Sequence, residues 1–75
     1  LAHELAPKVR VNAIAPGTVL LPPDPAPAKV AWAVEKSVLK RVGAPTDVAQ
    51  LAEFLITNEF VTGSVYHVDG GRSLV

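Results

Sequence analysis

No cysteine occurs among the 75 residues, which excludes disulfides and any cysteine-based metal site. The same absence agrees with a cytoplasmic setting. Charge of neither sign is in excess. Seven Lys and Arg balance seven Asp and Glu, and their scattered placement leaves no basic footprint for nucleic acid. No apolar run approaches the roughly 18–20 residues that a membrane span needs, so no membrane partner is expected. The opening Leu1-Ala2-His3-Glu4-Leu5 lacks a basic stretch leading into an apolar one, and is no signal peptide. The two histidines, His3 and His67, stand too far apart in sequence to show metal-ligand spacing. There is no internal repeat.

What the chain has is aliphatic surface. Apolar residues make up 49% of it and the mean hydropathy is +0.32. Disorder is not expected of such a composition at zero net charge. A chain this short buries only about 60% of its unfolded surface, so a self-sufficient domain would carry more polar residues or internal staples. The chain also begins at Leu1 rather than Met. Together these lead to the expectation of a piece of a larger protein.

Ala2, Leu5 and Ala6 fall at helical spacing until Pro7 forbids continuation, which predicts a helix end over 1–6. Val9, Val11, Ala13 and Ala15 alternate, with Ile14 on the other face, and Pro16-Gly17 closes the run. A strand over 9–15, apolar on much of both faces, suits a parallel sheet covered by helices. Five prolines between Pro16 and Pro27 exclude helix and central strand there. Val19, Leu20 and Leu21 within that stretch place the loop against something apolar.

Residues 28–39 predict a helix with Val30, Ala31, Val34 and Val38 on its buried side. Trp32 stands off that stripe, to face a pocket or partner or to pack beneath the proline-rich loop. A second helix starts near Pro45, with Ala44 or Thr46 as cap and Asp47 in its first turn. Val48, Leu51, Ala52 and Leu55 form its stripe, widened by Ala49 and Ile56, and Asn58 stops it. Residues 64–68 predict a second strand, running into Asp69-Gly70-Gly71. Two strands joined through helices imply a parallel crossover, and the fold class is α/β.

Several of these segments carry a family resemblance. Residues 4–17 resemble the sixth-strand segment of short-chain dehydrogenases/reductases. Arg41-Val42-Gly43-Ala44-Pro45-Thr46-Asp47-Val48-Ala49 resembles the start of that family's late helix. Phe60-Val61-Thr62-Gly63 and Val68-Asp69-Gly70-Gly71 resemble its closing strand. The resemblance implies the C-terminal part of a single doubly wound, Rossmann-like domain over 1–75, with 18–27 as a proline-rich substrate-side loop. The phosphate-binding N-terminal part, with the catalytic Ser and Tyr-x-x-x-Lys, would lie upstream. Tyr66, the single tyrosine, has no Lys four residues on, so no catalytic residue is assigned here and the chain alone is expected to be inactive.

Many members place Thr where Leu21 stands, four residues after Gly17, which removes one hydroxyl contact to the cofactor. Pro16-Gly17-Thr18-Val19-Leu20-Leu21-Pro22-Pro23 and the ending Val68-Asp69-Gly70-Gly71-Arg72-Ser73-Leu74 resemble the pteridine reductase subgroup. That implies NADPH as cofactor, with NAD not excluded, and a pterin or folate-type substrate. It also implies an N-terminal portion of the same protein as partner, and a homo-tetramer. A 3-oxoacyl or other carbonyl reductase is the enzymatic alternative, and a non-catalytic interaction fragment the other.

At residue level, Gly17 allows bare backbone to approach a ligand. The amides of Thr18 and Val19 could meet a carboxamide, with Pro16 as a rigid wall, although a plain strand-ending turn needs the same residues. Leu20, Leu21 and Pro22 either wall a flat substrate or cap the core. Asn12 is expected to bond a neighbouring loop, and Asp69 to fix its own turn through backbone amides. Arg10 reads as a strand-edge charge, and His67 as a packed or interfacial residue.

Overall fold

The computed structural model describes residues 1–75. Helix α1 spans Ala2–Leu5, strand β1 Ala13–Pro16, helix α2 Pro27–Lys36, helix α3 Pro45–Thr57 and strand β2 Val65–Val68, followed by a 3-10 turn at Arg72–Leu74. The two strands pair in parallel, with Ala13 opposite Val65 and Pro16 opposite Val68. The expected α/β class and crossover are therefore present, and α3 packs on β1.

Strand β1 is shorter than the 9–15 run expected from alternation, and it includes Pro16. Residues 11–12 are claimed by a turn instead of a ladder. Thr62 Oγ1 accepts from the Val11 N–H at 3.0 Å, and the Val11 carbonyl accepts from the Gly63 N–H at 2.7 Å. Asn12 bonds the same segment, its Nδ2 donating to Val61 O at 3.0 Å and its Oδ1 accepting from Ser64 N–H at 3.2 Å. That is the loop bond its amide was expected to need.

Helix α3 follows the sequence closely. Pro45 occupies the first helical turn, where its missing N–H costs nothing. Asp47 Oδ2 accepts from the Ala44 N–H at 2.7 Å, the acidic half of a capping box. Val48, Leu51, Ala52 and Leu55 are half-buried, but Ala49 and Ile56 are exposed and do not widen the stripe. At its far end Arg10, expected only as an edge charge, donates to Leu55 O at 2.6 Å and Ile56 O at 3.0 Å. A cation there offsets both the orphan carbonyls and the negative helix end.

Helix α2 stops at Lys36, short of the expected 39, because Ser37 turns into extended backbone and Leu39 N–H bonds Gly70 O at 3.0 Å. Its buried residue is Ala33; Ala31 and Val38 are exposed, contrary to the expected stripe. Only Ala33 and Ser37 are buried in the whole chain, while Phe60 is 100% exposed. The molecule is elongated, 47 × 24 × 18 Å, with a radius of gyration of 15.1 Å. A compact chain of this length would have about 11 Å.

Candidate functional site

Both strands run out at the same edge of the sheet, β1 into Gly17-Thr18-Val19 and β2 into Asp69-Gly70-Gly71. Gly17 N–H still bonds Val68 O at 2.9 Å, and a Cβ on Gly17 would lie 2.8 Å from Asp69 Cα. Glycine is required there by the approach of the neighbouring strand, and Asp69 takes the room it leaves. Thr18 O accepts from the Gly43 N–H at 2.9 Å, which lays the segment before α3 alongside the loop. The amides of Thr18 and Val19 make no hydrogen bond within the chain.

The turn after β2 is built by Asp69. Its Oδ1 accepts from the Gly71 N–H at 2.9 Å and its Oδ2 from the Ser73 N–H at 3.0 Å, with His67 Nδ1 3.8 Å away. Desolvation raises the carboxyl's pKa, but the two amide bonds, with the His67 charge added, hold it below the usual 3.8. Gly70 and Gly71 have φ of 59° and 87°, the left-handed region that other residues enter at a cost. A Cβ on Gly70 would collide with Ser37 Oγ, which sits against the Gly70 carbonyl at 3.3 Å. The carbonyl thus accepts from both Ser37 Oγ and Leu39 N–H, pinning the end of α2 to this turn.

Between α2, the turn after β2 and the segment leading to α3 lies a cavity of about 190 Å³. Thr18 and Val19 line it, as do Trp32, Lys36, Asp69 and Arg72. The Arg72 guanidinium lies 5.8 Å from the centre of the Trp32 ring, which is 54% exposed. Trp32 thus faces a pocket. Of the residues expected to bind cofactor, Pro16 and Gly17 stand at the strand end and Thr18 and Val19 on the cavity. Leu20, Leu21 and Pro22 do not line it: Leu20 is 78% exposed, Pro22 exposed and Leu21 half-buried. Sequence reasoning missed Ser37 and Arg72. The off-stripe Trp32, with Thr18 and Val19, was the signal that pointed toward this cavity.

The arrangement can present backbone donors and an aromatic wall to a ligand at the strands' carboxyl ends. It holds no nucleophile–base pair, and Tyr66 is half-buried within β2. No group of three or more His, Asp or Glu residues gathers anywhere in the chain.

A family profile described as enoyl-(acyl carrier protein) reductase matches residues 1–73. The dihydromonapterin reductase of Citrobacter koseri is 41% identical over 73 residues, 97% of this chain and 30% of its own length. That of Klebsiella pneumoniae is 38% identical over the same share. The chain spans about 30% of the length of these curated relatives. Among solved structures, a small-chain dehydrogenase in complex with NADPH superposes with a TM-score of 0.85 at 36% identity, covering 99% of this chain and 36% of that one. The FolM alternative dihydrofolate reductase 1 from Brucella suis, in complex with NADP, gives 0.84 at 34% identity, covering 99% and 30%.

Proposed function

The chain belongs to the short-chain dehydrogenase/reductase family, and from that premise we propose that it forms the C-terminal part of an NADPH-dependent pteridine reductase. The observation that carries this reading is the pair of unspent amides at Thr18 and Val19. They stand on a cavity at the carboxyl ends of two parallel strands, the edge where open α/β sheets take their ligands. The likeness to dihydromonapterin reductases and to a dihydrofolate reductase supports a dihydropterin or dihydrofolate as substrate. Neighbours bound to NADPH and NADP support that cofactor, and a neighbour of similar likeness with bound NAD+ leaves NAD as the alternative.

A bound dihydronicotinamide would supply the hydride. This chain's part is positional. The Thr18 and Val19 amides donate to a carboxamide and hold its ring in one orientation, while Pro16 walls one side with a fixed φ. Gly17 keeps the two strands close enough for both loops to share one edge. On loop 18–27 the exposed Leu20 and Pro22, with the half-buried Leu21, form an apolar wall for a flat heterocycle. The phosphate-binding and proton-donating residues belong to an N-terminal portion, and the assembled enzyme is a cytoplasmic homo-tetramer.

A second reading, reduction of an acyl thioester, is favoured by the description of the matching family profile. Turnover separates the two. The polypeptide joined to its N-terminal portion is expected to oxidise NADPH with dihydromonapterin or dihydrofolate well above enoyl or β-ketoacyl thioesters. The reverse preference would transfer the chain to the acyl reductases. Absence of any nicotinamide nucleotide binding would leave the non-catalytic interaction fragment.

A further inference from the structure

The peptide joining Thr18 to Val19 is held by a segment that lies outside loop 18–27. Its carbonyl accepts from the Gly43 N–H at 2.9 Å. That carbonyl and the Val19 N–H belong to one planar trans unit, so they point in opposite directions. Fixing Thr18 O therefore fixes the Val19 N–H as well, which leaves on the side away from Gly43. The Val19 side chain is held in the same place. A Cβ on Gly43 would lie 3.0 Å from Val19 Cγ1 and 3.6 Å from Thr18 O, so the residue that grips the peptide has to be bare. Backbone conformation is not the reason for glycine here. Gly43 has no left-handed φ, in contrast to Gly63, Gly70 and Gly71.

The grip is in turn shaped by the start of α3. Half-buried Asp47 accepts from the Ala44 N–H at 2.7 Å, next to Gly43, and its Oδ2 lies 3.6 Å from Arg41 Nη1. Arg41 Nη1 also donates to Val42 O at 3.2 Å. Residues 41–44 are thus bent around the first turn of a 13-residue helix, which is a firmer support than a proline-rich loop without a backbone ladder. A donor held on such a support reaches its acceptor without further ordering.

We propose that Gly43 is a positioning residue for the cofactor. Through its bond to Thr18 O and its lack of a side chain, it sets the Val19 N–H at the angle that receives the nicotinamide carboxamide. Asp47 and Arg41 hold Gly43 in place. This rests on the nicotinamide-side reading above and deepens it, because the ring's orientation is then set by the start of α3 and not by loop 18–27 alone.

The test compares two halves of one ligand. The full-length reductase, with its N-terminal portion, is titrated calorimetrically with NADPH and with adenosine 2′,5′-bisphosphate, which lacks the nicotinamide. Gly43→Ala is expected to bind NADPH about threefold more weakly and Gly43→Val about tenfold, as one neutral amide bond is first weakened and then lost. Both variants should bind the bisphosphate as the parent does. Gly43→Ala should also unfold in urea no earlier than the parent, since an ordinary φ gives the added methyl no backbone penalty. Val19→Ala keeps the amide and removes the crowding Cγ1, so the double variant should bind NADPH within about twofold of Val19→Ala alone. Equal losses for the two nucleotides in Gly43→Ala, or unchanged NADPH binding in Gly43→Val, would overturn the proposal. So would a Gly43→Ala loss that persists in full in the Val19→Ala background. A parent that binds neither nucleotide would instead overturn the underlying reading.

Discussion

Gly70 illustrates how one missing side chain can hold a helix in place. Its φ of 59° and the closeness of Ser37 Oγ act together, so Gly70→Ala meets both a backbone penalty and a collision. We expect it to cost about 3 kcal/mol in urea unfolding of the assembled protein. In a Ser37→Ala background the collision is relieved, and the cost should drop to about 1–2 kcal/mol. A double-mutant cycle reads that difference, and additive losses would show that the two residues do not meet. Asp69 offers a second residue-level prediction. Its carboxyl titrates below the usual 3.8 in the folded chain, so its contribution to stability is complete above that value and is lost as pH falls through the lower folded one. Unfolding curves from pH 6 to pH 3 should therefore steepen in acid for the parent and flatten there for Asp69→Asn.

At the scale of elements, the ends of α3 explain why it forms where it does. Arg10 reaches it from outside and covers its last carbonyls. Arg10→Ala should lower stability by about 1 kcal/mol, and Arg10→Lys, without the planar fork, by roughly half that. Asn12→Ala removes two half-buried bonds to the 61–64 turn and should cost about 2 kcal/mol by denaturant midpoint. The limits of α3 were legible from Ala44-Pro45, Asp47 and Asn58, because those residues act on the backbone next to them. The limits of β1 and α2 were not. Val11 alternates correctly for a strand, yet its hydrogen-bonding groups go to Thr62 and Gly63, about fifty positions away. Ser37 and Leu39 fit a helix, but Gly70 draws them out of it. Local pattern carries no information about such distant claimants. The candidate site divides in the same way: Gly17, Thr18 and Val19 could be read from one contiguous motif. Arg72 and Trp32 become neighbours only once the chain has crossed over.

For the molecule as a whole, the decisive fact is how little is covered. Leu1, Leu20, Ile56, Phe60 and Leu74 are each more than 70% exposed, and only two residues of the chain are buried. Area removed from water supplies most folding free energy, and ordering a backbone costs about 1–2 kcal/mol per residue. The separate 75-residue polypeptide is therefore expected to show no cooperative transition by circular dichroism in urea, and to gain one when its N-terminal portion is supplied. A steep transition of the isolated chain would contradict this. The parallel pairing of β1 with β2 has a further consequence, and it concerns time. The contacts beside it bridge 49 to 52 positions, and closing a loop of that length costs about 3.5 kcal/mol in chain entropy beyond a constant. Nothing between the two strands offsets that cost in advance, so the pairing of β1 with β2 must wait until Val65–Val68 has been synthesised. A ribosome stalled shortly before Val65 would hold a nascent chain in which this strand pair, the turn after it and the cavity are all still unmade.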